Sequence, residues 1–280
     1  MFYSGSIRTS FLNVLIVMKV EKNMKRLGSD YIPLVDGEGS RLRLVISFSR
    51  IAWFTVSLPF CGFAFCIIWS ILYNFEQATE THCNVYNFLP SVSAAIGHYR
   101  PQKHIWEFTI AVQAIIRLLV LFMYYEYYKD TAYKWARGIT NFALFSYFLE
   151  NTALVTLSFW SSNENYVFHK ISFITFLLMS LMHMVLSYII AMNCCNVAKD
   201  TNNSISLKWK FNSMVLNVTA TMLACYFFYR HNKYCEPFVY SMFALAEYVV
   251  VITNMAFHVT AAYDFAGRSL LISTNGLRII

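Results

Sequence analysis

The sequence predicts an all-α, polytopic membrane protein: a bundle of six transmembrane helices with both termini in the cytosol. Three observations support this class. Of the 280 residues, 58% are hydrophobic and only 13% are charged, and the mean hydropathy is +0.46. An ordinary soluble domain has about 25% charged residues, so a large soluble enzyme is nearly excluded, as are collagen, a coiled coil and a disordered chain. The other two observations are six long apolar stretches and an uneven distribution of Lys and Arg between the segments that join them.

Six stretches of the sequence are candidates for membrane-spanning helices. A helix that crosses the hydrocarbon core needs about 20 mostly apolar residues, because each residue adds about 1.5 Å of rise. Pro59 lies inside the first stretch and should kink it, because proline lacks the N–H that would bond one turn back. The stretches that meet the length requirement are residues 51–73, 105–125, 139–160, 171–192, 211–229 and 238–263.

The spans form one transmembrane domain over residues 51–263. Residues 1–50 are expected to form a cytosolic arm, and residues 264–280 a cytosolic tail. Within the arm we expect residues 1–23 to be a disordered extension, and translation to start at either Met1 or Met24. No internal repeat or low-complexity segment interrupts this organisation.

The orientation follows from the positive charges. Sixteen of the 22 Lys and Arg residues lie in the arm, the tail and the second and fourth loops, five lie in the other loops, and Arg117 lies within a span. Loops rich in Lys and Arg stay in the cytosol, so both termini are expected there. The pI near 9 then reflects topology and attraction to anionic lipid rather than nucleic-acid binding.

Two of the seven cysteines, Cys83 and Cys235, fall in non-cytosolic loops. In an oxidising lumen we expect them to form a disulfide that ties the first loop to the loop between the fifth and sixth spans. A zinc site is the alternative, because His82 and His231 would complete a set of two nitrogen and two sulfur ligands. Unlinked thiols are the third possibility. The disulfide is our prediction, with no metal ion and no other cofactor.

The first lumenal loop, residues 81–97, is apolar for a solvent-exposed loop. Phe88, Leu89, Val92 and Ile96 recur near helical spacing. Such a segment either caps the helix bundle or lies on the bilayer surface, and it could act as a gate for a lipid headgroup.

Ionisable side chains near the centres of the spans are the candidates for function. A charge at mid-bilayer costs at least about 2.5–3.5 kcal/mol on insertion scales, so such residues are usually buried, paired and functional. Arg117 and Glu150 lie at similar depth on consecutive antiparallel spans, which indicates either an ion pair that fixes packing or a functional pair. The residues of this kind are Arg117, Glu150, His183 and Glu247.

In the sixth span, Glu247, Asn254 and His258 are spaced by seven and four residues, so they share one helix face. They form either interhelical hydrogen bonds or the wall of a headgroup cavity with Glu247 or His258 as proton acceptor. The sequence has no GxSxG, HExxH, P-loop or Rossmann pattern. The catalytic candidates are therefore Glu247, His258, Glu150 and His183, and the substrate-binding candidates are Arg117, Asn254 and Asn151.

Four segments of the sequence closely resemble the Frag/DRAM/Sfk family of six-span membrane proteins. The resemblance runs from about residue 31 to about residue 274. The segments that carry it are THCNVYNFLPSVSAAIG (81–97), FLENTALVTLSFWSS (148–162), YFFYRHNKYCE (226–236) and FALAEYVVVITNMAFHVTAAYDF (243–265).

The resemblance implies a function in the lipid remodelling of GPI anchors, at the step that reacylates the lyso-GPI anchor in the secretory pathway. It implies GPI-anchored proteins and lyso-GPI lipid as partners, together with an acyl donor lipid. It also implies a Golgi membrane location, with the endoplasmic reticulum as the alternative. Whether the chain transfers the acyl group itself or serves a catalytic partner is left open by the resemblance. The competing hypotheses are a transporter or channel with an intramembrane polar path, and a non-catalytic membrane scaffold.

Overall fold

The computed structural model describes residues 43–97, 99–162, 164–195, 201–273 and 276–279. The expected disordered extension over residues 1–23 and the alternative start at Met24 lie outside these ranges. Within them, six helical segments are long and apolar enough to cross a membrane, as predicted. These are formed by α1 (Phe48–Tyr73), α4 (Gln102–Thr131), α5 (Arg137–Phe159), α6 (Tyr166–Ile189), α7 (Thr201–Tyr234) and α8 (Val239–Val259).

Three short helices and two irregular turns complete the helical structure. A 3₁₀ turn (Lys134–Ala136) precedes α5, and a π-helical turn (Ile190–Cys194) follows α6. The short helices are α2 (Phe75–Thr79), α3 (Val92–Gly97) and α9 (Ala261–Asp264).

Several spans are longer than their apolar stretches. The largest difference is in α7, which begins ten residues before the predicted position 211 and carries the polar segment 201–210 as helix. Hydrogen bonds within a helix satisfy the backbone on both sides of the membrane boundary, so hydropathy marks the apolar part of a helix and not its ends.

A three-stranded sheet joins the arm to the tail, although no strand was predicted from the sequence. Strand β1 (Arg43–Ser47) leads directly into α1 and pairs antiparallel with β2 (Ser269–Ser273). Strand β3 (Gly276–Ile279) pairs antiparallel with β2 as a hairpin. The sheet therefore lies where the first span begins and after the last span ends, and we call this end of the bundle the arm end.

Each span packs mainly against its neighbour in sequence, except at one seam. Helix α6 lies along α5 and α7 lies along α8, whereas α6 and α7 contact each other little. Helices α1 and α4 approach closely at Gly62, where an added Cβ would lie 2.8 Å from Oγ1 of Thr109. Glycine is therefore required for the observed distance between these two helices.

The disulfide predicted between Cys83 and Cys235 is present at the opposite end of the bundle, and the two Cα atoms are 5.3 Å apart. It ties the first loop to the turn between α7 and α8. The backbone N–H of Phe238, in that turn, also donates to the carbonyl oxygen of Tyr86 at 3.0 Å. These links hold the first loop against the helix ends.

Residues 88–97 of the first loop, which we call the cap segment, fold over the helix ends at this cap end. Ser241 Oγ accepts from the N–H groups of Phe88 and Leu89 at 2.7 and 3.2 Å. Ala95 and Ile96, in α3, are buried against α1 and α4. Burial against α1 and α4 thus explains the apolar character of the second half of the loop, whereas Phe88 is 40% exposed.

At the arm end, Lys210 and Asp264 form an ion pair between α7 and α9. Lys210 precedes the predicted fifth span, 211–229, and was therefore expected in the fourth loop. It lies within α7 instead and is 3% exposed. Asp264 also accepts from the hydroxyls of Tyr124 and Ser206, both at 2.6 Å. The pair therefore connects α4, α7 and α9.

Lys210→Met should destabilise the fold by about 3–5 kcal/mol, because it leaves the Asp264 carboxylate buried without its cation. The midpoint of thermal unfolding in detergent measures the effect. The control is Lys208→Met, which removes an exposed lysine from the same helix and should change stability by about 0.5 kcal/mol or less. Equal midpoints for the two variants would show that the pair does not stabilise the fold.

Candidate functional site

A cavity of about 530 Å³ lies inside the bundle beneath the cap segment. Residues of α1, α4, α5, α6, α7 and α8 form its walls, and residues 91–94, 96 and 97 of the cap segment form part of its rim. The size is within the range of about 300–1,000 Å³ that is typical of small-ligand sites. The walls are mostly apolar, and their larger side chains include Ile110, Leu154, Phe173, Leu177, Phe243 and Val251.

The rim of the cavity is polar. Nε2 of His169, on α6, lies 3.1 Å from Oγ of Ser93 in the cap segment. Nδ1 of His169 donates to the Trp160 carbonyl oxygen at 2.7 Å. Next to the rim residue Ser161, Glu164 lies in the loop between α5 and α6. Its carboxylate accepts from Nζ of Lys103, on α4, at 2.6 Å and from the backbone N–H of Ser161 at 3.0 Å. Both bonds favour the ionised form and lower the pKa of Glu164.

Glu247 lies in the cavity wall, on the ninth residue of α8, and joins this wall to the cap segment. Its Oε2 accepts from the backbone N–H of Val92 at 3.0 Å, and the residue is 7% exposed. Within the described ranges Glu247 forms no ion pair. The next residue, Tyr248, donates to the carbonyl oxygen of Pro90 at 2.6 Å. Two consecutive side chains of α8 therefore hold the cap segment.

A second polar group lies deeper in the bundle, around Glu150 on α5. Its Oε1 accepts from Nη2 of Arg117 at 2.8 Å and from Nδ2 of Asn254 at 2.9 Å, and it lies 2.8 Å from Nε2 of His258. The ion pair expected between Arg117 and Glu150 is thus present, at 4% and 0% side-chain exposure. We call Arg117, Glu150, Asn254 and His258 the polar floor.

Nε2 of His258 has two neighbours in the polar floor. With a proton on Nε2, it donates to the ionised Glu150 carboxylate, which only accepts hydrogen bonds. With the proton on Nδ1 instead, Nε2 accepts from Nη2 of Arg117 at 2.7 Å. Nδ1 of His258 has no hydrogen-bond partner among the described residues, and the side chain is 12% exposed and lines the cavity.

Aromatic rings surround the polar floor. The Arg117 guanidinium lies 5.0 Å from the centre of the Tyr147 ring, a cation–π contact. His183 stacks on Tyr147 at 4.6 Å and is parallel to the His258 ring at 5.7 Å. Its Nδ1 donates to the Ala143 carbonyl oxygen at 3.3 Å. His183 is thus a buried neighbour of the polar floor and not part of the cavity wall.

The structure separates the candidate residues into two groups. Arg117, Asn254 and His258 line the cavity beside the buried Glu150, whereas Glu247 lies eleven residues before His258, about 16 Å along the helix axis. Asn151 does not line the cavity, and its Nδ2 donates to the Ala114 carbonyl oxygen at 3.2 Å.

Several contributors to the site were not found from the sequence. Ser180 Oγ accepts from Asn254 at 2.7 Å, and Tyr147 packs on the floor from α5. His169 joins the rim to the cap segment. Serine and tyrosine are common in membrane helices, and His169 lies at the end of a span, so none of the three gave a signal in the sequence alone.

The fold and site define a six-span membrane protein with an amphipathic internal cavity that is capped at one end. The sequence model described as "Frag1/DRAM/Sfk1/Cwh43P N-terminal domain" matches residues 47–267, and the chain belongs to this family.

Curated relatives cover most of the chain. "Post-GPI attachment to proteins factor 2" of Drosophila pseudoobscura pseudoobscura is 45% identical over 218 residues, which are 78% of this chain and 86% of the relative. "Acyltransferase PGAP2" of Xenopus tropicalis is 37% identical over 255 residues, 88% of this chain and 98% of the relative. A Caenorhabditis elegans protein, also named "Post-GPI attachment to proteins factor 2", is 35% identical over 224 residues, 78% of this chain and 85% of the relative. No solved structure matches the chain.

Arg117→Met should lower stability by about 3–5 kcal/mol, because the Glu150 carboxylate then stays buried without a cation. Thermal unfolding in detergent and the yield of monodisperse protein measure the loss. Adding Glu150→Gln to Arg117→Met removes the uncompensated charge and should recover part of the lost stability.

The control for this pair is Gln113→Met, one turn from Arg117 on the same cavity wall, which removes a neutral polar group. It should cost about 1 kcal/mol or less. If the double variant is as unstable as Arg117→Met alone, the ion pair is not the reason for the instability.

Proposed function

We propose that this protein acts in the lipid remodelling of GPI anchors, where it binds the lyso-GPI lipid and supports attachment of a fatty acid to it. The names of its relatives support the pathway, and one of these relatives is named an acyltransferase. The observation that carries the proposal is the cavity itself, which has a polar rim, apolar walls and ionisable groups at two depths.

The cavity suits a lipid with a single acyl chain. Its apolar walls match the chain, and its polar rim matches a glycerol backbone and phosphodiester. Three side chains in its wall, Ile174, Cys225 and Phe228, are also exposed on the outer surface of α6 and α7. They lie at the seam where these two helices contact each other little. This seam provides a lateral route from the surrounding lipid into the cavity.

Glu247 is the proton acceptor we favour for acyl transfer. It lies nearer the rim than the polar floor does, at the level where the free hydroxyl of a lyso-lipid would sit when its chain extends into the cavity. Glu247 takes the proton of this hydroxyl, and the oxygen attacks the carbonyl carbon of an acyl ester or thioester. The bond to the donor's leaving group then breaks, and the leaving oxygen or sulfur receives the proton from Glu247.

His258 is the second candidate, with Glu150 as its positioning residue. In the tautomer that carries its proton on Nε2 and donates it to Glu150, His258 has a lone pair on Nδ1 that can act as a base. When the headgroup of the lipid lies at the rim, the depth of His258 places it close to the acyl chain rather than to the hydroxyl, which is why Glu247 ranks first. His183 and Asn151 are assigned packing roles.

We further propose that the cap end faces the lumen, that both termini are cytosolic, and that the protein resides in the Golgi membrane. The distribution of Lys and Arg supports this orientation. A lumenal cap end places the rim beside the leaflet in which GPI anchors reside. GPI-anchored proteins, lyso-GPI and an acyl donor lipid are then its partners.

Glu247→Gln should block reacylation, because the amide can still accept from the Val92 N–H but can no longer take a proton. General-base catalysis typically contributes about 10²–10⁴-fold, so lyso-GPI should accumulate. The measurement is mass spectrometry of GPI anchors from cells that lack the native gene and express the variant.

The matched control is Tyr248→Phe, which removes the neighbouring hydrogen bond to the cap segment without touching a carboxylate. Reacylation should stay close to the wild-type level in this variant. Normal anchors in cells with Glu247→Gln would exclude Glu247 as the acceptor. Normal anchors in cells without any copy of the gene would contradict the proposed function and favour a transporter or scaffold.

The orientation is tested by tags at both termini and in the turn between α7 and α8. In cells with a selectively permeabilised plasma membrane, antibodies should reach both terminal tags and should reach the turn only after the internal membranes are opened. If antibodies fail to reach a terminal tag when only the plasma membrane is permeabilised, that terminus is lumenal and the proposed orientation is wrong.

A further inference from the structure

Two histidines flank the disulfide at the cap end. Nε2 of His82 lies 3.3 Å from Sγ of Cys83. The ligating atoms of His82, Cys83 and Cys235 all lie within 4.8 Å of one another. These are two sulfurs and an imidazole nitrogen, which are ligands that zinc prefers.

His231, on the last turn of α7, lies beside these three residues. It is 1% exposed, and neither of its ring nitrogens has a hydrogen-bond partner within the described residues. Its ring centre lies 5.4 Å from that of His82, at an interplanar angle of 80°. A buried polar group without a partner costs about 1–3 kcal/mol, so a second state in which His231 is coordinated would recover this cost.

We propose that His82, Cys83, His231 and Cys235 form a zinc site when the disulfide is reduced. Zinc binds sulfur at about 2.3 Å and histidine nitrogen at about 2.0–2.1 Å, so two ligand atoms in a tetrahedral site lie about 3.5 Å apart. The distance of 3.3 Å between Nε2 of His82 and Sγ of Cys83 is close to this value. The two sulfurs must separate, which requires cleavage of the bond between them.

The exchange balances with a dithiol as reductant. The dithiol gives two electrons and two protons to the disulfide, becomes a cyclic disulfide itself and leaves two cysteine thiols. Zinc then binds both sulfurs as thiolates, and two protons are released to solvent. In the reverse sequence zinc is lost, the two thiols transfer two electrons and two protons to a small-molecule disulfide, which is reduced to thiols, and the protein disulfide forms again.

Both states connect the same two segments. The disulfide and the zinc site each hold residues 82 and 83, which precede the cap segment, to residues 231–235 beside the start of α8. The cap segment therefore keeps its anchor in an oxidising or a reducing compartment. This inference does not depend on the proposed lipid chemistry, and it can fail or succeed separately from it.

The test uses the full chain, purified in detergent, reduced with a phosphine under argon and freed of metal. Zinc is added, excess is removed, and bound metal is measured by elemental mass spectrometry. We expect one zinc per chain in the reduced protein and none in the oxidised protein. Cobalt in place of zinc should give the intense visible absorption of a tetrahedral thiolate site.

Variants identify the ligands. The double change Cys83→Ser with Cys235→Ser should abolish binding, and His82→Gln and His231→Gln should each weaken it by about tenfold or more. His104→Gln, an exposed histidine that is outside the cluster, is the control and should bind as the wild type does. His82 is exposed, so its variant is informative even if the His231 variant does not fold. No zinc in the reduced wild type, or unchanged affinity in His82→Gln, overturns the proposal.

Discussion

The interior of this protein is organised around one oxygen atom, Oε1 of Glu150. The ionised Glu150 carboxylate is fully buried, so the protein itself supplies its cation and its hydrogen-bond donors, because the hydrocarbon offers no water. Arg117 from α4 and Asn254 and His258 from α8 all converge on this atom, so three spans are fixed relative to one another at a single depth. Asn254 extends the connection to α6 through Ser180. The cavity is the space these helices leave between the polar floor and the cap segment.

Glu247 has a different environment from Glu150, although both are carboxylates in the membrane. Its only hydrogen-bond partner within the described ranges is a backbone N–H, that of Val92 in the cap segment. Under the proposed function, the hydroxyl group of a bound lipid replaces this bond to the cap segment, while the polar floor keeps the bundle intact.

The sequence predicted those features that depend on composition or on position along the chain. The number of spans follows from the length of the apolar stretches. The Cys83–Cys235 disulfide follows from the side of the membrane on which both cysteines were expected, and the Arg117–Glu150 pair follows from the similar depth of the two residues. It did not predict the sheet, because β1 is separated from β2 and β3 by more than 200 residues. It also missed the burial of Lys210 and the bond from Val92 to Glu247, because both depend on how distant segments pack.

The proposal that lipid enters through the seam between α6 and α7 and then occupies the cavity is tested by filling this seam. Ile174→Trp with Cys225→Phe adds bulk to two wall residues. The control, Ile171→Trp with Met222→Phe, introduces the same two aromatic side chains at exposed residues of the same helices outside the cavity. Anchors are measured by mass spectrometry in cells that lack the native gene. We expect lyso-GPI to accumulate with the first pair and mature anchors to form with the second; mature anchors with both pairs would exclude lipid entry through this seam.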